Sequence, residues 1–548
     1  MWQVPTPLAR VEAMWLAVMA LPAISVHAAS KPHLIFMLAD DLGWYDTAIT
    51  GDQSAEARHA TRNLVQLAND GMRLSNHYVH WHCSPTRRSF LTGRSPLHHG
   101  EHLSGVTEDY IDLRWTWISE KLKSAGYATH WYGKGHTGFM SMRHMPANRG
   151  FDSSVLYLGG AGSYTNLQRW NGTVPLEAHT SRNPGEYSTD LFGSLAVTAV
   201  EGHDPSIPFF MYLPWQAVHS PYDLPPSCAE PTSKTCPNKI RAMIADVDAW
   251  TGKLVAALKA KGMYDHTLMV FTSDNGGTAD TKGDVGGNNY PLRGGKHTQW
   301  QGGMRTTSFV SGGFLPSSLR GSTHNSSFHV TDWYPTFSHL AGVDGSDDAP
   351  VPPLPVDESR PDRDIYQGKR SWPPVDGINI WAELLGRKKT YDRTYLWLSA
   401  EAMIKDGRYK IVTAQQERKL TAFPPVTGWR RPDGSWVDGG KLDGPGCGLA
   451  FLDRAHFRPC LFDLQNDERE MKDLSRKMPE LVAELWRELN RTALTAYLSR
   501  SPPEMRGHCN ATCAGEKWAK IASSRRSVNG PICGVPGCDA SLASIEWV

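Results

Sequence analysis

The sequence predicts an α/β fold in which strands of a largely parallel sheet alternate with helices. Two kinds of segment indicate this fold. Almost continuous apolar runs of five to seven residues are typical of strands that are buried on both faces. Amphipathic helical patterns lie between these runs, as in proteins with parallel sheets. The predicted strands cover residues 33–39, 128–132, 208–213 and 268–272, and predicted helices cover residues 61–71, 118–125 and 240–261.

Polar residues follow each predicted strand near its carboxyl end. In a parallel sheet these ends meet at one edge, where ligands bind. One such pair alone is better explained as a helix cap or a loop salt bridge. Four coincident cases instead favour one shared site. The residues concerned are Asp40 and Asp41, Lys134 and His136, His219, and Asp274 and Asn275.

Four of these residues, Asp40, Asp41, Asp274 and Asn275, offer only oxygen atoms as ligands. Oxygen ligands suit a hard cation such as Ca²⁺ or Mg²⁺, whereas zinc prefers some His or Cys. Three carboxylates packed together without a cation would repel one another and raise their pKa values. The sequence therefore predicts one divalent cation here, with water or substrate oxygens completing its coordination shell.

The length and the charge of the chain limit the possible classes of protein. With 548 residues, the chain is longer than one compact domain usually is, so two domains are expected. Lys and Arg total 57 against 56 Asp and Glu, which gives a formal net charge of +1. A nucleic-acid-binding protein normally shows a basic excess, so no nucleic-acid partner is expected.

Residues 1–29 have the features of a secretory signal peptide. Arg10 precedes an apolar stretch at 13–26, and small residues follow at 28–29. An uncleaved signal anchor is the alternative, although the apolar stretch is short for a membrane span. We expect the secretory pathway, with an extracellular or lysosome-like destination, and no integral membrane segment after signal removal.

The cysteine count fits an exported protein with disulfide bonds. There are nine cysteines, so one is left without an intramolecular partner, and Cys83 is predicted to be that residue because its surroundings differ. Four others crowd the tail from residue 501 onward, where crosslinks stabilise most. The pairing is open. Four sequons permit glycosylation, at Asn171, Asn325, Asn490 and Asn510.

The segment from Cys83 to Arg94 carries the strongest chemical signal. Ser84 suits an N-cap and Pro85 the first helical position, so Cys83 is predicted at a helix N-terminus, where backbone amides favour an anion. Arg87 follows one turn later. Taken alone, the segment also fits an activated thiolate or a buried unpaired cysteine ahead of a capped helix.

Cys-x-Pro-x-Arg at 83–87, followed by Leu-Thr-Gly-Arg at 91–94, resembles the signature of the sulfatase family, in which the cysteine is oxidised to formylglycine. Further similar motifs occur in the family's order from about residue 31 to about residue 474, and they most resemble the arylsulfatase B type, which includes N-acetylgalactosamine-4-sulfatases. Two positions depart from the family pattern: Thr86 replaces Ser or Ala, and Gly135 replaces a bulky aromatic residue. The further motifs lie at 38–44, 133–136, 149–152, 219–221, 273–277, 291–296, 302–305 and 461–464.

The resemblance implies a mechanism and assigns a role to each site residue. Residue 83, converted by the formylglycine-generating enzyme, presents a hydrated aldehyde whose one hydroxyl attacks sulfur while Asp274 takes its proton. His219 protonates the departing alcohol. His136 then removes the proton of the second hydroxyl, which expels sulfate. Arg87 orients the diol, and Lys134, Lys296 and His219 bind the substrate. One Ca²⁺ is implied, held by Asp40, Asp41, residue 83, Asp274 and Asn275.

The resemblance also implies an alkaline-phosphatase-like large domain with a helix-flanked mixed sheet, and a smaller C-terminal domain with a short antiparallel sheet. We expect the signal peptide at 1–29, the catalytic domain at 30–389, the smaller domain at 390–500 and a Cys-rich tail at 501–548. The substrate expected is a sulfated small molecule or a sulfated glycan. Two alternatives stay open: a formylglycine-dependent phosphoester or phosphonate hydrolase, and an inactive protein that binds sulfated glycans.

Overall fold

The structure is a computed structural model. It describes residues 1, 31–100, 111–139, 142–176, 185–228, 238–278, 287–347, 373–387, 393–413, 429–430, 435–437, 459–493 and 495. The predicted signal peptide, the predicted domain junction near residue 389 and the tail from residue 501 lie outside the described residues, so the domain boundaries stay predictions.

The strands fall into a large sheet, a small sheet and a two-stranded ribbon. The strands are numbered along the chain. In the large sheet their spatial order is β10-β2-β9-β8-β1-β7-β3-β4-β5-β6. Their bounds are β1 (His33–Ala39), β2 (Met72–Tyr78), β3 (Ala128–Lys134), β4 (Ser153–Tyr157), β5 (Trp170–Asn171), β6 (Val174–Pro175), β7 (Phe209–Pro214), β8 (Thr267–Ser273), β9 (Phe309–Ser311) and β10 (Ser322–His329). The sheet is mixed, because β8, β1, β7, β3 and β4 run parallel while β9, β5 and β6 pair antiparallel.

Helices cover both faces of the large sheet. The α-helices of the described residues are α1 (Ala55–Ala60), α2 (Arg62–Asp70), α3 (Cys83–Thr92), α4 (Pro96–His99), α5 (Ile118–Ser124), α6 (Ser188–Glu201), α7 (Lys239–Ala260), α8 (Gln301–Met304), α9 (Trp333–Leu340), α10 (Trp381–Leu384) and α11 (Pro479–Ala493). Alternate residues of β1 point to opposite faces. Leu34 and Phe36 join a core with residues of α3, α5 and α9. Ile35 and Met37 join a second core with residues of α2, α6 and α7.

The small sheet is antiparallel and lies in the same compact unit, which begins at Pro32. Its order is β11-β12-β13-β16, and the ribbon pairs β14 with β15. The bounds are β11 (Tyr395–Ser399), β12 (Ala402–Lys405), β13 (Tyr409–Val412), β14 (Trp429–Arg430), β15 (Trp436–Val437) and β16 (Cys460–Asp463). On one face, Met403 and Leu461 pack against Leu485 of α11. On the other, Phe462 packs against Trp300 and Met304, near the large sheet.

The predicted fold class is confirmed, with a large helix-flanked mixed sheet and a smaller antiparallel sheet. The predicted strands and helices occur with their ends shifted by at most two residues, and β1 has the predicted bounds. One local prediction is wrong: Ser84 is not the N-cap of α3, because the helix already begins at Cys83 and the cap residue is His82. The prediction that Cys83 lies at a helix N-terminus is nevertheless correct. Within the described part of the chain, no helix has both the length and the apolarity needed to cross a bilayer.

Candidate active site

The site lies where four neighbouring parallel strands end. The central order β8-β1-β7-β3 brings their carboxyl ends side by side, as the sequence predicts. Asp40 and Asp41 follow β1, and Asp274 follows β8. Backbone hydrogen bonds hold the loops together: the Asp274 N–H donates to the Ala39 carbonyl at 3.0 Å, and the Val218 N–H donates to the Asp40 carbonyl at 2.7 Å. The loop after β7 thereby brings His219 to the same edge.

Cys83 is the first residue of α3 and lies directly beside the acidic residues. Its side chain is free and buried, whereas Cys228 and Cys460 are disulfide-bonded. The prediction of an unpaired Cys83 therefore holds among the described cysteines. Its Sγ lies 3.5 Å from Asp40 Oδ1. Potential ligand atoms of Asp40, Asp41, Cys83 and His219 all lie within 4.8 Å of one another.

Three buried cations each pair with a carboxylate of the site. Lys134 Nζ lies 2.5 Å from Asp40 Oδ2. Lys296 Nζ lies 2.7 Å from Asp41 Oδ1. Arg87 donates to Asp274 Oδ2 from Nε at 3.0 Å and from Nη2 at 2.7 Å. Because the carboxylates and their partners are all at most 7% exposed, these charges interact with little screening.

The carboxylates differ in their affinity for protons. Burial and the nearby Asp274 carboxylate raise the pKa of Asp40 well above its usual value, and Lys134 only partly opposes this. Burial also acts to raise the pKa of Asp41, but Lys296 and His219 outweigh it and lower that pKa. At Asp274, Arg87 and Lys134 likewise outweigh burial and lower the pKa. A desolvated cluster with its charges divided in this way is typical of a functional site.

The donor set fits a hard cation. Asn275 donates its amide N–H to Asp41 Oδ1 at 2.7 Å, while its own Oδ1 is buried without a hydrogen-bond partner. A buried unpaired oxygen is costly unless it has a ligand to bind. Asp274, in contrast, lies outside the four-residue group around Cys83 and is engaged by Arg87. His219, which the sequence did not suggest as a ligand, belongs to that group instead.

The two predicted catalytic histidines lie at the same edge. Backbone bonds from Gly135 and His136 to β4 and the residue after it hold the turn after β3, and His136 has a positive φ of 55°. Its Nδ1 is buried without a partner. Burial and Lys134 lower the pKa of His136 well below the usual value. His219 places Nε2 3.6 Å from Asp41 Oδ2, and its Nδ1 contacts the Ser220 carbonyl oxygen at 2.6 Å.

Gly135 does not leave a gap in the wall of the site. A Cβ atom at this position would lie 2.8 Å from the Phe139 ring and 2.8 Å from the Tyr157 carbonyl oxygen. The buried Phe139 ring therefore fills the space beside Gly135. A glycine is required here because neither the ring nor the backbone oxygen leaves room for a side chain.

Sequence reasoning missed three residues near the site. Tyr157 ends β4, is 1% exposed and has a hydroxyl without a hydrogen-bond partner; burial and the Asp40 carboxylate raise its pKa well above the usual value. His82 and His297 face each other with ring centroids 5.7 Å apart. Its position at the end of β4, a fifth parallel strand, is the signal that points to Tyr157.

Comparisons with known proteins identify related sequences. The sulfatase family model matches residues 32–343. Mouse arylsulfatase J is 30% identical over 504 residues, which cover 88% of this chain and 79% of that protein. Bovine arylsulfatase A is 27% identical over 528 residues, with 90% and 94% covered. Mouse N-acetylgalactosamine-6-sulfatase is 28% identical over 360 residues, with 60% and 66% covered.

Solved structures share the fold. The crystal structure of the sulfatase PsFucS1 from Pseudoalteromonas sp. superposes with a TM-score of 0.62 at 25% identity, covering 86% of this chain and 92% of that one. The structure of Ps i-CgsB with k-i-k-neocarrahexaose gives 0.63 at 24% identity, covering 90% and 99%. Because the family model spans more than half of the chain, the chain belongs to the sulfatase family and is a sulfuric ester hydrolase.

Proposed function

We propose that this protein hydrolyses sulfate esters of sugars, with a formylglycine made from Cys83 and one bound Ca²⁺. The observation that carries the proposal is the buried Cys83 thiol at the start of α3, 3.5 Å from a carboxylate that Lys134 contacts on its other oxygen. The backbone amides at the N-terminus of α3, together with the nearby cations, suit an anionic group such as a sulfate ester. The names of the relatives support sulfated amino sugars as the substrate class.

The cation would be held by Asp40, Asp41, Asp274 and Asn275 with residue 83, and when bound it would polarise the sulfate group. The donor oxygens suit Ca²⁺. The formylglycine would supply two hydroxyls on one carbon, of which one attacks sulfur and the other permits release of sulfate. Charge stabilisation and proton transfer depend on side chains of the protein itself.

Arg87 and the two lysines provide the charge that the reaction needs. Arg87 donates twice to one oxygen of Asp274, which keeps this carboxylate ionised and fixed as an acceptor for the proton of the nucleophile. Lys134, at the end of β3, contacts Asp40, and Lys296, in the segment between β8 and α8, contacts Asp41. Their ammonium groups can hold the sulfate oxygens and neutralise charge that develops during the reaction.

The two histidines divide the proton transfers. Burial lowers the pKa of His136 well below the usual value, so the ring is neutral. In the tautomer that carries its proton on Nε2, the unpartnered Nδ1 is the nitrogen that can accept a proton. His219 can act as the acid when Nε2 carries a proton, because its other ring nitrogen then donates to the Ser220 carbonyl oxygen. Burial and Lys296 lower the pKa of His219, and the nearby carboxylates of Asp40 and Asp41 only partly oppose this.

Mass spectrometry of the peptide that contains Cys83 tests the proposal first. Conversion of the thiol to an aldehyde lowers the mass by about 18 Da, unlike ordinary thiol oxidation, which adds oxygen. The protein should be produced in a host shown to convert another sulfatase. An unmodified thiol in that host would contradict the mechanism.

A comparison of esters tests the substrate class. We expect the purified protein to release sulfate from an aryl sulfate and from sulfated N-acetylgalactosamine, and to hydrolyse the matched aryl phosphate and phosphonate monoester far more slowly. Preferred turnover of the phosphorus esters would favour the phosphonate hydrolase alternative. An aldehyde at position 83 without turnover of any ester would favour the binding protein. Calcium content, measured on the same sample by elemental analysis, tests the cation separately.

A further inference from the structure

The loop that carries Lys296 is closed on itself. We call residues 293–302 the Lys296 loop. At its base, the Gly302 N–H donates to the Arg293 carbonyl at 2.7 Å. At its tip, the Lys296 N–H donates to the Gly277 carbonyl at 3.1 Å, beside the acidic residues of the site. The position of the Lys296 ammonium group therefore depends on what holds the base of this loop.

Glu470 holds both ends of that base. It follows β16 of the small sheet, is fully buried and has a positive φ of 55°. Its Oε2 accepts a hydrogen bond from the Gln301 N–H at 2.6 Å. Its backbone carbonyl accepts one from Arg293 Nη1 at 3.0 Å. One residue outside the large sheet thus contacts the first residue of the Lys296 loop and a residue near its end.

Lys410 fixes the Glu470 carboxylate from the small sheet. Lys410 lies on β13, and its Nζ is 2.7 Å from Glu470 Oε1 with both side chains fully buried. Burial raises the pKa of Glu470 and lowers the pKa of Lys410, so both charges are held against a desolvation cost. A pair of apolar residues would fill the same space without this cost. The pair is therefore poorly explained by stability alone.

We propose that the Lys410–Glu470 pair is a positioning device for Lys296, through which the small sheet sets the geometry of the sulfate-binding cation. The inference rests on the role proposed above for Lys296. Its physical basis is that a shift of about 1 Å in a group that contacts the reacting centre can cost roughly 100-fold in rate. A shift of this size would break the 2.7 Å contact between the Lys296 ammonium and Asp41 Oδ1.

Two double variants of the full-length, formylglycine-containing protein separate positioning from packing. Lys410→Met with Glu470→Leu removes both charges and the acceptor for Gln301, but retains apolar bulk. Lys410→Met with Glu470→Gln removes the charges and keeps an acceptor oxygen for the Gln301 N–H. Lys405→Met is the matched control, because Lys405 is on the adjacent strand and pairs with Glu484, away from the Lys296 loop.

Hydrogen exchange is the readout that does not depend on activity. We expect amides of residues 293–302 to exchange fastest in the Met/Leu variant, at an intermediate rate in the Met/Gln variant, and at the wild-type rate in Lys405→Met. Unchanged exchange of this segment in the Met/Leu variant would overturn the proposal. This result is obtained even if the protein proves inactive on sulfate esters, so a failure of the proposed function and a failure of this inference are distinguishable.

A double-mutant cycle with Lys296→Met tests whether the pair acts through that lysine. On an aryl sulfate, the Met/Leu variant should lose about 10- to 100-fold in kcat/KM, and the Met/Gln variant, which keeps only the acceptor for Gln301, should recover part of that loss. In the Lys296→Met background the same two substitutions should cause almost no further loss, since the group they position is gone. An equal loss in both backgrounds would show that the pair acts on folding or elsewhere in the site.

Discussion

The active-site edge of the large sheet and the outer face of the small sheet both carry ion pairs, but in opposite surroundings. At the edge, Lys134 and Asp40 meet with both side chains at 0% exposure. On the small sheet, Lys405 and Glu484 meet at 21% and 35% exposure. Exposed pairs contribute little because water solvates both partners. Buried charges cost desolvation energy, and they are retained where chemistry needs them. Of these two pairs, the fully buried one lies at the active site and the partly exposed one lies away from it.

The largest effect that this comparison predicts is at Cys83. Cys83→Ser should lower steady-state turnover of an aryl sulfate by at least about 1,000-fold, because a serine hydroxyl has no second hydroxyl to release sulfate. Release of about one equivalent of alcohol in a rapid-mixing experiment would show attack without turnover. The melting temperature should stay near that of the wild type, which serves as the control. Steady turnover by this variant would refute a formylglycine mechanism.

Lys134 tests whether the buried pairs serve catalysis or folding. Lys134→Met should lower kcat/KM for an aryl sulfate by roughly 100- to 1,000-fold, because a cation that stabilises the transition state is lost. The folded state should tolerate the change, since the Asp40 pKa is already raised and the carboxyl can take up a proton. Urea unfolding measures the second part. A large loss of stability with little loss of rate would mean that the buried Lys134–Asp40 pair serves folding and not catalysis.

The framework of this edge could be predicted from the sequence, because its signals are local. A strand buried on both faces is a run of apolar residues, and its carboxyl end is the next polar residue. Asp40, Lys134 and Asp274 could therefore be assigned to one edge before their distances were known. The chemistry of residue 83 came from resemblance to a family.

The remaining contacts could not be predicted, because they depend on tertiary packing and not on a local sequence pattern. Nothing near Gly135 indicates that Phe139 fills its space, and nothing near Lys296 points to Glu470. The cap of α3 was misassigned for a related reason. An N-cap preference is worth about 1 kcal/mol, and the packing of the fully buried α3 outweighs it. Local patterns thus located the site, while its fine geometry depends on tertiary packing.

Asp246 is a buried carboxyl group outside the active-site ion pairs, and it gives the contrasting case. Asp246 on α7 has an Oδ2 atom without a partner, and burial and Asp190 raise its pKa to about 7. A raised carboxyl pKa favours folding below the unfolded value near 4, and this advantage is lost as pH rises toward 7 and above. Asp246→Asn should therefore increase the free energy of unfolding at pH 8, by up to about 4 kcal/mol.

The same variant should show a much smaller gain at pH 4, where wild-type Asp246 is protonated in the folded state and about half protonated in the unfolded state. Urea unfolding at the two pH values measures the difference, and the wild type at each pH is the control. Activity on an aryl sulfate should not change, because Asp246 lies on the helical layer rather than at the strand ends. An equal effect at both pH values would mean that packing, and not the charge, is altered.

Phe139 tests the apolar wall of the site. Phe139→Ala should lower the free energy of unfolding by about 3 kcal/mol, because a buried ring is removed, and should also lower kcat since the turn that carries His136 loses its support. Phe314→Ala is the matched control. Phe314 stacks on Trp381 in another part of the core, with centroids 5.5 Å apart. We expect it to lower stability without changing kcat, so an equal loss of kcat in both variants would contradict the role of Phe139.

The smallest effect is expected at the partly exposed pair of Lys405 and Glu484. Lys405→Met should change the free energy of unfolding by less than about 1 kcal/mol, because Lys405 and Glu484 are partly solvated in the folded state. Tyr395 also donates to Glu484 Oε1 at 2.6 Å, so the carboxylate keeps a partner when the lysine is removed. Urea unfolding and turnover of an aryl sulfate measure both consequences. A loss of stability or turnover as large as that caused by removing a buried charge would contradict this comparison. The exposed fraction of an ion pair would then not distinguish the functional pairs from the others.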